Sequence, residues 1–119
     1  MKFITIPILN NYYKAYFCYG DAAYIKKCLK KTHHIKEDIE VDRDFDIENI
    51  RGACFYTDGC HPLIAMPVFP ETPEEIGTLA HEATHAINNI FQTIGESTSG
   101  EVYSHSVGAI VEEVLRRGK

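Results

Sequence analysis

The chain has 119 residues, a formal net charge of -5 and 45% apolar residues. That composition excludes disorder and is enough for one domain, residues 1–119, with a modest core. No block of Lys and Arg offers a phosphate-binding surface, and no apolar run approaches the ~20 residues of a membrane span, so neither nucleic acid nor membrane is an expected partner.

Met1 to Leu9 superficially resembles a signal sequence, but Pro7 breaks it and no clear small-residue cleavage site follows. A cytoplasmic protein is expected. Ile4, Ile6 and Ile8 alternate, as in a half-buried strand. Asn10-Asn11 is a turn signal. Tyr13, Ala15, Phe17 and Tyr19 alternate next, giving a hairpin or one long bent strand. Asp21 can cap a helix over 22–31, with Ala22, Ile25, Cys28 and Leu29 as its apolar stripe. His33 and His34 then fall in a loop and carry no expected role.

Ile39, Val41, Phe45 and Ile47 alternate within the acidic stretch 37–48, which suggests an exposed strand or extended segment. Asp42, Asp44 and Asp46 have the spacing that opens a calcium loop. However, Ile47 stands where that loop needs Gly and Ala53 where it needs Glu, so calcium is rejected.

Asp58-Gly59 between two apolar runs signals a hairpin of 52–57 with 61–66. A two-residue loop would pair Thr57 with Cys60 and set Cys54 opposite Leu63, on a face shared with His61. Cys60 would lie on the other face, so no Cys54–Cys60 disulfide is expected. Pro62 and Pro67 suit an edge strand, which could add an extended peptide to the sheet. The four cysteines, Cys18, Cys28, Cys54 and Cys60, have no C-x-x-C spacing and are expected as free thiols.

The most informative stretch is His81-Glu82-Ala83-Thr84-His85, an H-E-x-x-H pattern. On a helix, residues four apart share a face, so His81 and His85 can hold one zinc ion with Glu82 beside it as general base. A short pattern can arise by accident, so its context must carry the argument. Thr72 can cap, Pro73 suits the first turn, and Glu75 completes a capping box. Ile76, Leu79, Ala80, Ala83, Ile87, Ile90 and Phe91 fall within about 60° of one line, while His81 and His85 sit roughly 140° and 180° away. The apolar stripe can therefore pack on a core while the histidines face a cleft.

Gly95 can end this helix. A second helix is expected over about 100–117, with Tyr103, Val107, Ile110, Val111, Val114 and Leu115 as its apolar positions. Glu101 is the preferred third ligand, ahead of Glu96 and His105. Thr98-x-x-Glu101 is also a capping box, which gives Glu101 a competing structural role.

The pattern from Thr78 to Ile87 resembles the zincin metallopeptidase consensus. Asn88 and Phe91 stand where the metzincin branch needs Gly and a third His, so that branch does not fit. Glu101, 16 residues past His85, is similar to the gluzincin arrangement. Over roughly 50–115 the chain resembles the minimal gluzincin-like proteins of phages and prophages. In those an aromatic Tyr often stands four residues after the glutamate; here that position is His105, with Tyr103 nearby.

The resemblance implies a small mixed α+β domain and a zinc metallopeptidase acting on a peptide or protein. His81, His85 and Glu101 would be the zinc ligands, Glu82 the base, and His105 or Tyr103 the oxyanion donor. The alternatives are a zinc-binding protein without protease activity and a metal-dependent hydrolase of a non-peptide amide.

Overall fold

The computed structural model describes residues 1–33, 50–56 and 61–119. The described residues form seven elements: β1 (Lys2–Ile8), β2 (Tyr13–Tyr19), α1 (Ala22–His33), β3 (Ala53–Phe55), β4 (Leu63–Met66), α2 (Pro73–Ile94) and α3 (Glu101–Arg117). The fold is α+β: among the described residues, a small mixed four-stranded sheet with three helices. The strands are ordered β1-β2-β4-β3, with β2 and β4 parallel and the other two pairs antiparallel.

β1 and β2 form the hairpin that their alternation predicts, with Ile4 opposite Phe17 and Ile6 opposite Ala15. Leu9, Asn10 and Asn11 make the turn with positive φ of 52°, 54° and 72°. Asparagine tolerates that region because its short polar side chain compensates locally; Leu9 bears the larger steric cost. The sheet has two covered faces. Ile4, Ile6, Ile8, Phe17, Ile64 and Met66 meet Leu79, Ala83, Ile87 and Phe91 of α2 and Ile110 and Val114 of α3. Cys18, Leu63 and Ala65 meet Ile25, Cys28 and Leu29 of α1 on the opposite face. Each large side chain so buried is worth about 1.5–3 kcal/mol.

The structure corrects three expectations. α1 continues to His33, which is buried rather than in a loop. β4 is an interior strand between β2 and β3, so it cannot accept an added peptide. Pro62 and Pro67 lie just outside its four residues, where their missing N–H groups cost the ladder nothing. All four residues of β4 are buried, as a strand covered on both faces requires. The register of β3 on β4 is also one residue from the expected one. Cys54 opposes Ile64, and Phe55 opposes Leu63. A one-residue slip exchanges the faces, so Cys54 looks toward α2 and away from His61. Core packing of Ile64 and Met66 against α2 sets this register. The Asp58–Gly59 turn, the 37–48 segment and the rejected calcium loop lie outside the described residues.

Candidate metal centre

α2 begins where its capping box predicts. The Thr72 hydroxyl accepts from the Glu75 N–H at 3.2 Å, and the Glu75 carboxylate accepts from the Thr72 and Glu71 N–H groups at 3.0 Å each. Those bonds to the charged form, Thr72 first, hold the Glu75 carboxyl below the usual range. At the other end Gly95 takes φ 77°, and its N–H bonds back to the last turn. The helix is thus fixed at both ends, and its phase is fixed by Leu79, Ala83, Ile87, Ile90 and Phe91 in the core.

That phase turns His81 and His85 outward. Both are exposed, their Nε2 atoms are 3.2 Å apart, and their rings meet edge-on at 4.7 Å between centroids. Two nitrogens at 2.0–2.1 Å from one tetrahedral zinc stand about 3.3 Å apart. The separation of the pair matches what one shared metal ion needs. Among the described residues, the cluster that could hold a metal is His81, Glu82 and His85, whose ligand atoms lie within 4.8 Å of one another.

Glu82 differs from the histidines in burial: only 7% of it is exposed. One residue along a helix is a rotation of about 100°, which carries it off the histidine face toward the sheet. Gly52, just before β3, lies against it there. A Cβ on Gly52 would fall 2.6 Å from the Thr78 methyl and 3.5 Å from Glu82 Cγ. Cys54, on β3, stands near the same carboxylate. Burial and then the charge of Glu82 push its thiol up to about 12. Neither Gly52 nor Cys54 was singled out from the sequence as part of the site. Their placement depends on the register of β3, which no local signal encodes.

Gly52→Ala is expected to destabilise the protein by about 1–3 kcal/mol, because the added methyl overlaps Thr78. Thr78 cannot simply swing away, since its hydroxyl is bonded to the Glu74 carbonyl at 3.1 Å. Denaturant unfolding of the variant measures this, and unchanged stability would mean that β3 does not press on α2.

The remaining candidates fall into two groups. Tyr103 lies in the α2–α3 seam: its hydroxyl donates to Asn88 Oδ1 at 2.8 Å, and its ring meets Phe91 edge-on at 5.8 Å. Asn88 is three residues past His85 and about 60° from it around the helix, so this bond sits beside the histidine face. Asn88 was missed in the sequence, although its spacing of seven from His81 is the signal that could have found it.

Glu101 and His105 stand two residues before and after Tyr103, so each points about 160° away from it. Both are exposed, as is Glu96, and none of the three joins the cluster. The expected Thr98–Glu101 capping box is not formed: Gly100 is the N-cap of α3, with φ 90° and no side-chain bond. His61 lies against the Tyr16 ring, away from the histidine pair; burial and then the charge of Lys14 push its pKa down. No helix among the described residues is long and apolar enough to cross a membrane. Compared with protein-family models, curated proteins and solved structures, the chain matches none.

Proposed function

We propose that this protein is a zinc-dependent metallopeptidase of gluzincin type. The observation that carries the proposal is the Nε2 pair at 3.2 Å with the buried Glu82 carboxylate beside it. A zinc ion held by His81 and His85 would supply Lewis acidity, lowering the pKa of water to near 7. Glu82 takes the proton from the attacking water and returns it to the leaving amine. The wall made by Gly52 and Cys54 limits where its carboxylate can move. Tyr103 is better placed than His105 to steady the developing negative charge, because its phenol lies beside the histidine face. With β4 in the interior, β3, beside Glu82, is the outer strand on this side among the described residues, and it is the proposed edge for an extended substrate. A cytoplasmic setting is part of the proposal, and the free Cys18, Cys28 and Cys54 thiols support it. Metal analysis coupled to cleavage of an unbiased peptide library tests the whole proposal. Bound zinc with no cleavage would leave only metal binding.

Glu101 is the proposed third ligand. Its competing role as a capping acid is not used, and the first turn of α3 has no side-chain cap to hold it in place. Because Glu101 points about 160° away from Tyr103, its binding to the metal requires the first turn of α3 to rearrange toward the histidines. Glu101→Gln is expected to weaken zinc binding strongly, since a neutral amide is a poor ligand. His105→Ala is expected to keep the metal and mainly slow turnover. Competition against a chelator measures both. Equal affinity in Glu101→Gln and the parent would remove Glu101 from the metal site.

The second reading is a zinc-binding protein without protease activity. The observation favouring it is that the cluster gathers two histidines and one glutamate, with no third zinc ligand from α3. A substrate-free structural site would leave Glu82 without a role in rate.

A further inference from the structure

On the face of the sheet away from the histidines, a second set of reactive groups comes together. Cys18 on β2 and Cys28 on α1 meet where the helix packs on the sheet, and their thiols hydrogen-bond to each other. Cys18 is wholly buried. Cys28 is 5% exposed and lines a hollow of about 160 Å³ together with Phe3, Tyr24, Lys27 and Lys31. The Lys31 ammonium sits over the Phe3 ring at 4.7 Å, which holds a cation at the mouth of this hollow. The Tyr24 side chain also hydrogen-bonds Cys28.

We propose that Cys18 and Cys28 form a peroxide-oxidisable dithiol, with Cys28 as the attacking thiolate at the hollow and Cys18 as the thiol that resolves it. Three observations place the roles. The two side chains already interact within one packed cluster between α1 and β2, so the second step needs no unfolding. Cys28 opens to a space large enough for a small hydroperoxide, whereas Cys18 does not. The charges around Cys28 favour its anion: the bond from Cys18 lowers its pKa most, followed by the Tyr24 bond and the charges of Lys31 and Lys27. Together they outweigh burial and bring it down to about 7. Cys18 is driven the other way, by its bond to Cys28 and then by burial, and stays protonated.

The reaction balances without a further reactant. The Cys28 thiolate attacks the terminal oxygen of a hydroperoxide; the S–O bond forms, the O–O bond breaks, and the alkoxide or hydroxide leaves and takes up a proton. Cys28 becomes a sulfenic acid. The Cys18 sulfur then attacks the Cys28 sulfur, the S–S bond forms, and hydroxide departs with the Cys18 proton as water. Two thiols are oxidised, one peroxide is reduced, and a small thiol can restore the pair by exchange.

The experiment uses the intact protein and hydrogen peroxide. After brief exposure, free thiols are alkylated and the digest is mapped without reduction. The expected product is one Cys18–Cys28 disulfide, reversed by dithiothreitol. Cys18→Ala is expected to accumulate Cys28 sulfenic acid, trapped by dimedone. Cys28→Ser is expected to lose thiols at least about tenfold more slowly, because Cys18 is wholly buried away from the hollow and burial holds the Cys54 thiol neutral. A first-formed disulfide that includes Cys54 or Cys60, or parent protein in which Cys28 reacts no faster than Cys54, overturns the proposal. The mapping of the parent decides even if a variant folds poorly. This face is separate from the metal centre, so the result does not depend on the peptidase proposal.

Discussion

His81→Ala is expected to leave the purified protein without stoichiometric zinc, where the parent should carry about one ion per chain. The loss should be large because the site is a chelate. His81 and His85 present their Nε2 atoms 3.2 Å apart from consecutive turns of α2, so removing one breaks the chelate and leaves one exposed imidazole with only the proposed Glu101 carboxylate as a second ligand. Two ligands from separate helices hold zinc far more weakly than the three-ligand set that such sites use. The variant is also a clean test. His81 is exposed and takes no part in the core, so the fold should be kept and unfolding by denaturant should match the parent. His61→Ala is the control, because His61 packs on Tyr16 instead and should not affect metal content. Elemental analysis of the three proteins gives the answer. Full zinc in His81→Ala would end the assignment of this centre.

The parts of this site that lie within one helix were legible in the sequence. Thr72, Pro73, Glu75 and Gly95 mark the ends of α2 by local chemistry, and the apolar spacing fixes its phase. The outward direction of His81 and His85 then follows from 3.6 residues per turn. The parts that depend on two elements were not legible in the same way. Asp58-Gly59 suggests a two-residue hairpin, yet Cys54 opposes Ile64, one residue from where that turn would place it. The register answers to packing on both faces of β4, which is a tertiary constraint. The prolines flanking β4 suggested an edge strand, while its unbroken run Leu63-Ile64-Ala65-Met66 is the pattern of a strand covered on both faces. The run carried the better signal, because proline outside a ladder costs it nothing. Likewise Thr98-x-x-Glu101 has the letters of a capping box, but Gly100 takes the cap position and leaves Glu101 as the first residue of α3. A motif two residues out of phase with its helix end forms no bond.

Glu82→Gln is expected to keep its zinc and lose nearly all peptide hydrolysis. Glutamine matches glutamate in size, so the contact with Gly52 survives, and the carboxylate leaves without opening a gap. What is removed is the ability to take a proton from water. General acid–base catalysis contributes roughly 10²–10⁴-fold, so turnover should fall by at least that lower figure. A fall of less than about tenfold would show that Glu82 is not the base. Cys54 provides a second readout that does not depend on turnover. Burial is the first cause of its high pKa, about 12, and the Glu82 charge is the second. Neutralising Glu82 removes the second cause alone. The Cys54 thiol should therefore titrate lower in the variant while staying above its ordinary value, and a thiolate absorbance titration would detect the change. If turnover is lost and the Cys54 titration moves with it, the lost charge was the one facing β3. If turnover is lost and Cys54 does not move, the carboxylate is elsewhere, and the wall that Gly52 and Cys54 form beside it is not part of the catalytic site.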